Sequence, residues 1–174
     1  MELGQRGVDC LRHIMQRTAN DCAIAAAAMV GEVSYDTAAE RSPVPVGKRG
    51  LNPREIISIL ESVTGVTWRG PQFAWWCRIP RLNGLEHPFV VVIRRPWTLA
   101  TQHCVAMYDG YVYDPACSCC CRMNEYERRC WRVVAIYRPA VAERLLAVRQ
   151  FHIRQRAELL AVLRRRSRLC VSGD

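Results

Sequence analysis

Lysine is nearly absent: Lys48 is the only one, so arginine supplies 24 of the 25 basic residues. Such a bias follows from coding composition as readily as from phosphate binding, and does not by itself identify a nucleic-acid partner. No apolar run approaches the roughly 18 residues needed to span a bilayer. The longest, from Cys22 to Val30, is alanine-rich and reads as a buried helix. The first thirty residues lack a basic start followed by an uninterrupted apolar stretch, so no secretory signal is expected. There is no internal repeat. A soluble, cytoplasmic chain is the expectation, and its ten cysteines then read as reduced thiols rather than a disulfide framework.

What is present describes a packed domain. Half of the 174 residues are apolar and 24% are charged, which suits one core and not disorder. The net charge of +9 is unevenly placed: residues 138–174 hold nine arginines against Glu143, Glu158 and Asp174. The body is therefore close to neutral and the tail is basic.

Hydrophobic spacing divides the chain into a helical front and a sheet-forming middle. Asn20 and Asp21 are good caps for a helix beginning at Cys22, and Gly31 offers its stop. A short second helix starts near Tyr35 or Asp36. Asn52-Pro53-Arg54-Glu55 combines a cap, proline at the first helical position and a glutamate three residues on. Ile56, Ile57, Ile59, Leu60 and Val63 then give that third helix its expected buried face. Val66-Thr67-Trp68 and Phe73-Ala74-Trp75-Trp76 are short strand candidates. Pro88-Phe89-Val90-Val91-Val92-Ile93 has the composition of a buried central strand. Residues 103–108, 111–114 and 131–137 follow as further strands. The class is α+β, with N-terminal helices packed on a central antiparallel sheet. Pro139 opens a long amphipathic basic helix reaching to about Arg168, so the predicted division is 1–138 for the body and 139–174 for an extension.

Cys22 stands where a helix begins, and the positive end of the helix dipole there favours negative charge on sulfur. Gln16 lies six residues upstream, and a loop of that length can aim its amide and the Cys22 N–H at one oxyanion. An isolated cysteine beneath a helix is by default a packing residue. The hairpin downstream changes that balance. Asp109-Gly110 between two β-rich runs marks a two-residue type I′ turn. Counting back from it pairs Ala106 with Tyr113 and makes Asp114 the diagonal neighbour of His103. Diagonal neighbours lie about 7–8 Å apart along the backbone, near enough for imidazole and carboxylate to meet. Asp109, at the hairpin tip, is roughly 20 Å away.

Gln16 and Cys22-Ala23 at a helix start, Pro88-Phe89-Val90-Val91-Val92, His103-Cys104-Val105-Ala106-Met107, Asp109-Gly110 and Tyr113-Asp114-Pro115 together resemble the C39-like peptidases, a papain-like group. The likeness spans about residues 12–138, and its specific parts are the Gln/Cys and His/Asp-Pro blocks. It implies a papain-like fold, a peptide or protein substrate, no cofactor, Cys22 as nucleophile, His103 as base, Asp114 as its orienter and Gln16 in the oxyanion hole. Ile24 departs from the small residues usual after the cysteine, and is expected to narrow the site. Two other classes compete: a catalytically silent papain-like binding module, and a binder of nucleic acid or membrane surface acting through the basic helix. The intact set of four speaks against the first.

Cys117 and Cys120 have the two-residue spacer of a zinc-ligand pair, but no second well-spaced pair exists, so the run 117–121 with Cys130 reads as a loop beside the site. Cys104 is expected in the core. His13, His87 and His152 have no partner nameable from sequence. Trp131 is assigned to the core, and Trp75 and Trp76 are left open as cleft walls. For the basic helix, a solvated face combined with packing or self-association is favoured over an acidic partner. Nucleic acid is disfavoured, because neither a recognition motif nor interleaved aromatics are present.

Overall fold

A computed structural model describes residues 10–73, 79, 87–95, 102–128 and 130–140. All of them belong to the unit Met1–Ala140. The basic helix expected beyond Pro139, the extension 139–174 from residue 141 onward, His152, and Trp75, Trp76 and Trp97 lie outside the described residues.

Three helices precede the sheet: α1 (Cys22–Val30), α2 (Tyr35–Glu40) and α3 (Pro53–Thr64). Helix α3 begins with the expected capping box, Asn52 accepting from Arg54 N and Glu55 N while Glu55 reaches back to Asn52 N at 2.8 Å. It ends at Gly65, whose φ of 70° is the left-handed stop that glycine supplies without strain. Helix α1 is apolar on every side, and Ala23 through Met29 are all buried. Alanines let it settle closely between its neighbours, as an all-round apolar helix must.

The sheet has six antiparallel strands, β1 (Trp68–Phe73), β2 (Phe89–Arg94), β3 (Gln102–Tyr108), β4 (Tyr111–Tyr113), β5 (Cys121–Arg122) and β6 (Arg132–Pro139), in the order β1-β6-β2-β3-β4-β5. The hairpin register is as counted from the sequence, Tyr108 opposite Tyr111 and Ala106 opposite Tyr113. Asp109 and Gly110 both have positive φ, as a type I′ turn demands. Strand β2 is central, between β6 and β3, and five of its six residues are buried.

Period-2 alternation sorts the strand residues between two cores. Val90, Val92, Cys104, Ala106 and Tyr113 pack with the helices. Phe89, Val91, Ile93, Val105 and Met107 face the other way, against Ile79, Met123 and Tyr126. Among the described residues no helix is long and apolar enough to cross a membrane.

Several boundaries differ from expectation. Strand β1 starts at Trp68 and carries Pro71 inside it, which an edge strand tolerates because one side of its ladder is unpaired. Cys121 belongs to a short strand rather than a loop. Strand β6 continues through Pro139, so that proline ends a strand before it can open a helix. Trp131 is only partly buried, packed at the margin of the second core beneath Arg128.

Candidate active site

Cys22 is the first residue of α1, and its helix-start N–H has no acceptor four residues back. Asp21 was expected to cap this helix with its side chain, and it does not. The buried carboxylate turns back instead and accepts from Arg17 N and Thr18 N, each at 3.1 Å, and from the Tyr35 hydroxyl. Only the Asp21 carbonyl serves the helix, taking Ile24 N and Ala25 N. The first helical N–H groups are thus left clear of Asp21's carboxylate, while the loop carrying Gln16 is drawn into a fixed turn. Ile24 points into the core, so it does not narrow the site as expected.

Losing the Asp21 carboxylate removes the acceptor for two backbone donors and a buried hydroxyl. Asp21→Ala is expected to lower stability by about 2–4 kcal/mol, at roughly 1 kcal/mol for each donor left without a partner and more where it stays buried. Urea unfolding measures this directly. Tyr35→Phe, which removes one of the three, is expected to cost about 1 kcal/mol.

Gln16 is held at both ends of its residue. Its N–H donates to Pro115 O at 2.9 Å, tying the loop to the segment that follows Asp114. Its side-chain Nε2 donates to Thr18 O at 2.9 Å, and Oε1 is buried without a protein partner. One Nε2 hydrogen is therefore spent within the loop, and a second remains.

His103, near the start of β3, and Asp114, just past the end of β4, meet as the hairpin register requires. The ring Nε2 donates to Asp114 Oδ1 at 2.5 Å. With Nε2 so engaged, Nδ1 is the ring nitrogen left free of Asp114, and Cys22 lies near enough for its charge to act on the ring. Burial is the largest influence on the ring and favours its neutral form. The bond to Asp114 and the nearness of Cys22, with the negative charge of both, outweigh it and raise the pKa from 6.5 to about 9.

Asp114 is buried and accepts four hydrogen bonds. Oδ1 takes His103 and the Ala116 N–H at 2.8 Å. Oδ2 takes the Tyr126 hydroxyl at 2.6 Å and the Arg128 guanidinium. Burial, again the largest single influence, works to raise its pKa, but the bond and charge of His103, with the bonds from Tyr126 and the Ala116 N–H, hold it well below the usual carboxylate range. A carboxylate with all its lone-pair positions filled is fixed in both charge and orientation.

No protein-family model matches the chain, and no curated protein matches its sequence.

Three contributors to the site were not foreseen. Arg128 and Tyr126 come from the segment after β5, and no spacing rule links them to Asp114. His13 does have a partner: its Nε2–H donates to the Asp114 carbonyl at 2.9 Å, which ties the segment before Gln16 to the residue that holds His103. The cysteine run does lie beside the site, since Cys117 N donates to Asp114 O and Arg128 comes within 3.8 Å of the Cys117 sulfur. Among the described residues, however, no three His, Cys, Asp or Glu side chains converge on a metal position, so Cys117 and Cys120 gain no further ligands. Cys104 is buried, as expected.

Proposed function

We propose that this chain is a papain-like cysteine hydrolase that cleaves an amide, with Cys22 as nucleophile, His103 as base and acid, Asp114 as orienter and Gln16 in the oxyanion hole. One observation carries the reading. A histidine ring is committed through Nε2 to a buried carboxylate, while a cysteine at a helix N-terminus lies near enough to act on the same ring. That is the arrangement of nucleophile, base and orienter that acyl transfer requires.

In this mechanism Cys22 sulfur, its proton passed to His103 Nδ1, attacks the carbonyl carbon. The C–S bond forms and the carbonyl π electrons move to oxygen. The Cys22 N–H and the remaining Gln16 Nε2 hydrogen receive that oxyanion. His103 returns its proton to the leaving nitrogen as the C–N bond breaks, giving a thioester on Cys22. Water, deprotonated by His103, then releases the acid and restores the thiol. A pKa near 9 keeps the ring protonated at neutral pH, as the acid step needs.

A small activated ester tests this chemistry without knowledge of the natural substrate. With p-nitrophenyl acetate, a burst approaching one nitrophenolate per chain is expected, with the acetyl group on Cys22 by mass spectrometry. Cys22→Ala is expected to lose the burst. Acetylation spread evenly over the cysteines, or a burst surviving in Cys22→Ala, would rule the proposal out.

A further inference from the structure

The two oxygens of Asp114 do different work. Oδ1 faces His103, and Oδ2 faces away from the ring towards Tyr126 and Arg128. We propose that Arg128, supported by Tyr126, is the positioning residue of this site: it fixes the Oδ2 edge of Asp114 and draws off part of the carboxylate's charge, so that His103 is oriented yet still able to release its proton.

This inference rests on the reading of Cys22, His103 and Asp114 as a catalytic set. Arg128 is itself held in place. Its guanidinium lies 5.5 Å from the Trp131 ring centre and within 3.8 Å of the Cys117 sulfur. Its side chain is about a quarter exposed, whereas that of Asp114 is almost wholly buried. A cation so placed acts on the carboxylate through little intervening water, and its effect on His103 passes through Asp114. Among the described residues, the charged and titratable groups around the ring are Cys22 from α1, Asp114, the buried Cys104 next to His103 on β3, and beyond Asp114 the side chains of Arg128, Tyr126, Cys117 and His13.

The sign of one shift separates positioning by charge from a merely structural ion pair. If Arg128 only braced the loop, its loss would loosen the His103–Asp114 bond, and the ring would titrate lower. If it draws charge from Asp114, its loss leaves a fuller negative charge facing His103, and the ring holds its proton more tightly.

The experiment follows the His103 ring carbons by NMR across pH 5–11 in the full chain, with His13→Gln as background to remove the neighbouring ring signal. Arg128→Gln is expected to raise the titration midpoint by about one pH unit, the lower end of what a close charge does. Arg128→Lys keeps the charge and is expected to stay near the parent value. Tyr126→Phe removes a neutral donor from the same oxygen and is expected to give a smaller upward shift. Should Arg128→Gln fail to fold, Tyr126→Phe decides the sign. A midpoint that falls or stays put in Arg128→Gln, or in Tyr126→Phe where Arg128→Gln does not fold, overturns the proposal. Failure of the burst with p-nitrophenyl acetate in the parent chain, with the ring shifts as described, would instead overturn the hydrolase reading and leave the Arg128–Asp114–His103 coupling standing.

Discussion

Asp114→Ala is expected to destabilise the fold by about 3–5 kcal/mol, the cost of removing one partner from a buried ion pair. Four donors lose their acceptor at once: His103, the Ala116 N–H, Tyr126 and Arg128. Arg128 is partly exposed and can recover water, which moves the expectation towards the lower figure. Tyr126 is 1% exposed and has no such recourse. Against the 5–15 kcal/mol typical of a domain, this is a large fraction. Urea unfolding at pH 7 reads the loss. Asp114→Asn keeps the volume and is expected to retain more of the stability, yet it removes the negative charge that holds the proton on His103. Its ring should titrate well below 9. A carboxylate that only filled space would give the opposite pattern, with Asp114→Asn indistinguishable from the parent.

Replacing His103 with alanine is expected to slow acylation of Cys22 by about 10²–10⁴-fold, the usual worth of a positioned acid–base group. The same histidine gives stability a defined pH dependence. Its folded pKa of about 9 lies above the ordinary 6.5, so its stabilising contribution is full below about pH 6.5 and is lost as pH rises through 9. Asp114 has the reverse sign. Its folded pKa is lowered, so its contribution is present above the ordinary 3.8 and is lost as pH falls below that value. The two together give a maximum between roughly pH 4 and 6.5. Urea unfolding at pH 6 and at pH 9.5 should show the parent losing stability on the alkaline side, and His103→Ala losing much less.

The pairing of His103 with Asp114 was legible in the sequence because it depends on local geometry alone. A two-residue turn at Asp109-Gly110 sets the hairpin register, and the register sets which carboxylate meets the ring. The helices were legible for the same reason: capping at Asn52 and the left-handed stop at Gly65 are decided within a few residues. What escaped is long-range. Strand β6 inserts between β1 and β2, and nothing in its own residues specifies that position. Arg128, Tyr126 and His13 reach Asp114 from segments whose paths are set by the whole sheet. Asp21 escaped differently. A residue with strong capping preference sits at the cap, but Tyr35 and the Arg17–Thr18 backbone offer its carboxylate three donors. Those donors outcompete the helix, and the Asp21 carboxylate leaves the first N–H groups of α1 uncapped.

We propose that His103 activates Cys22 as a nucleophile. Residue-resolved carboxamidomethylation with limiting iodoacetamide near pH 6.5 tests it most directly, because all ten cysteines compete in one sample. Cys22 is expected to be modified first, and His103→Ala is expected to abolish that lead. If Cys22 reacts no faster than the other nine cysteines, and replacing His103 changes nothing, the site described here is not a catalytic one.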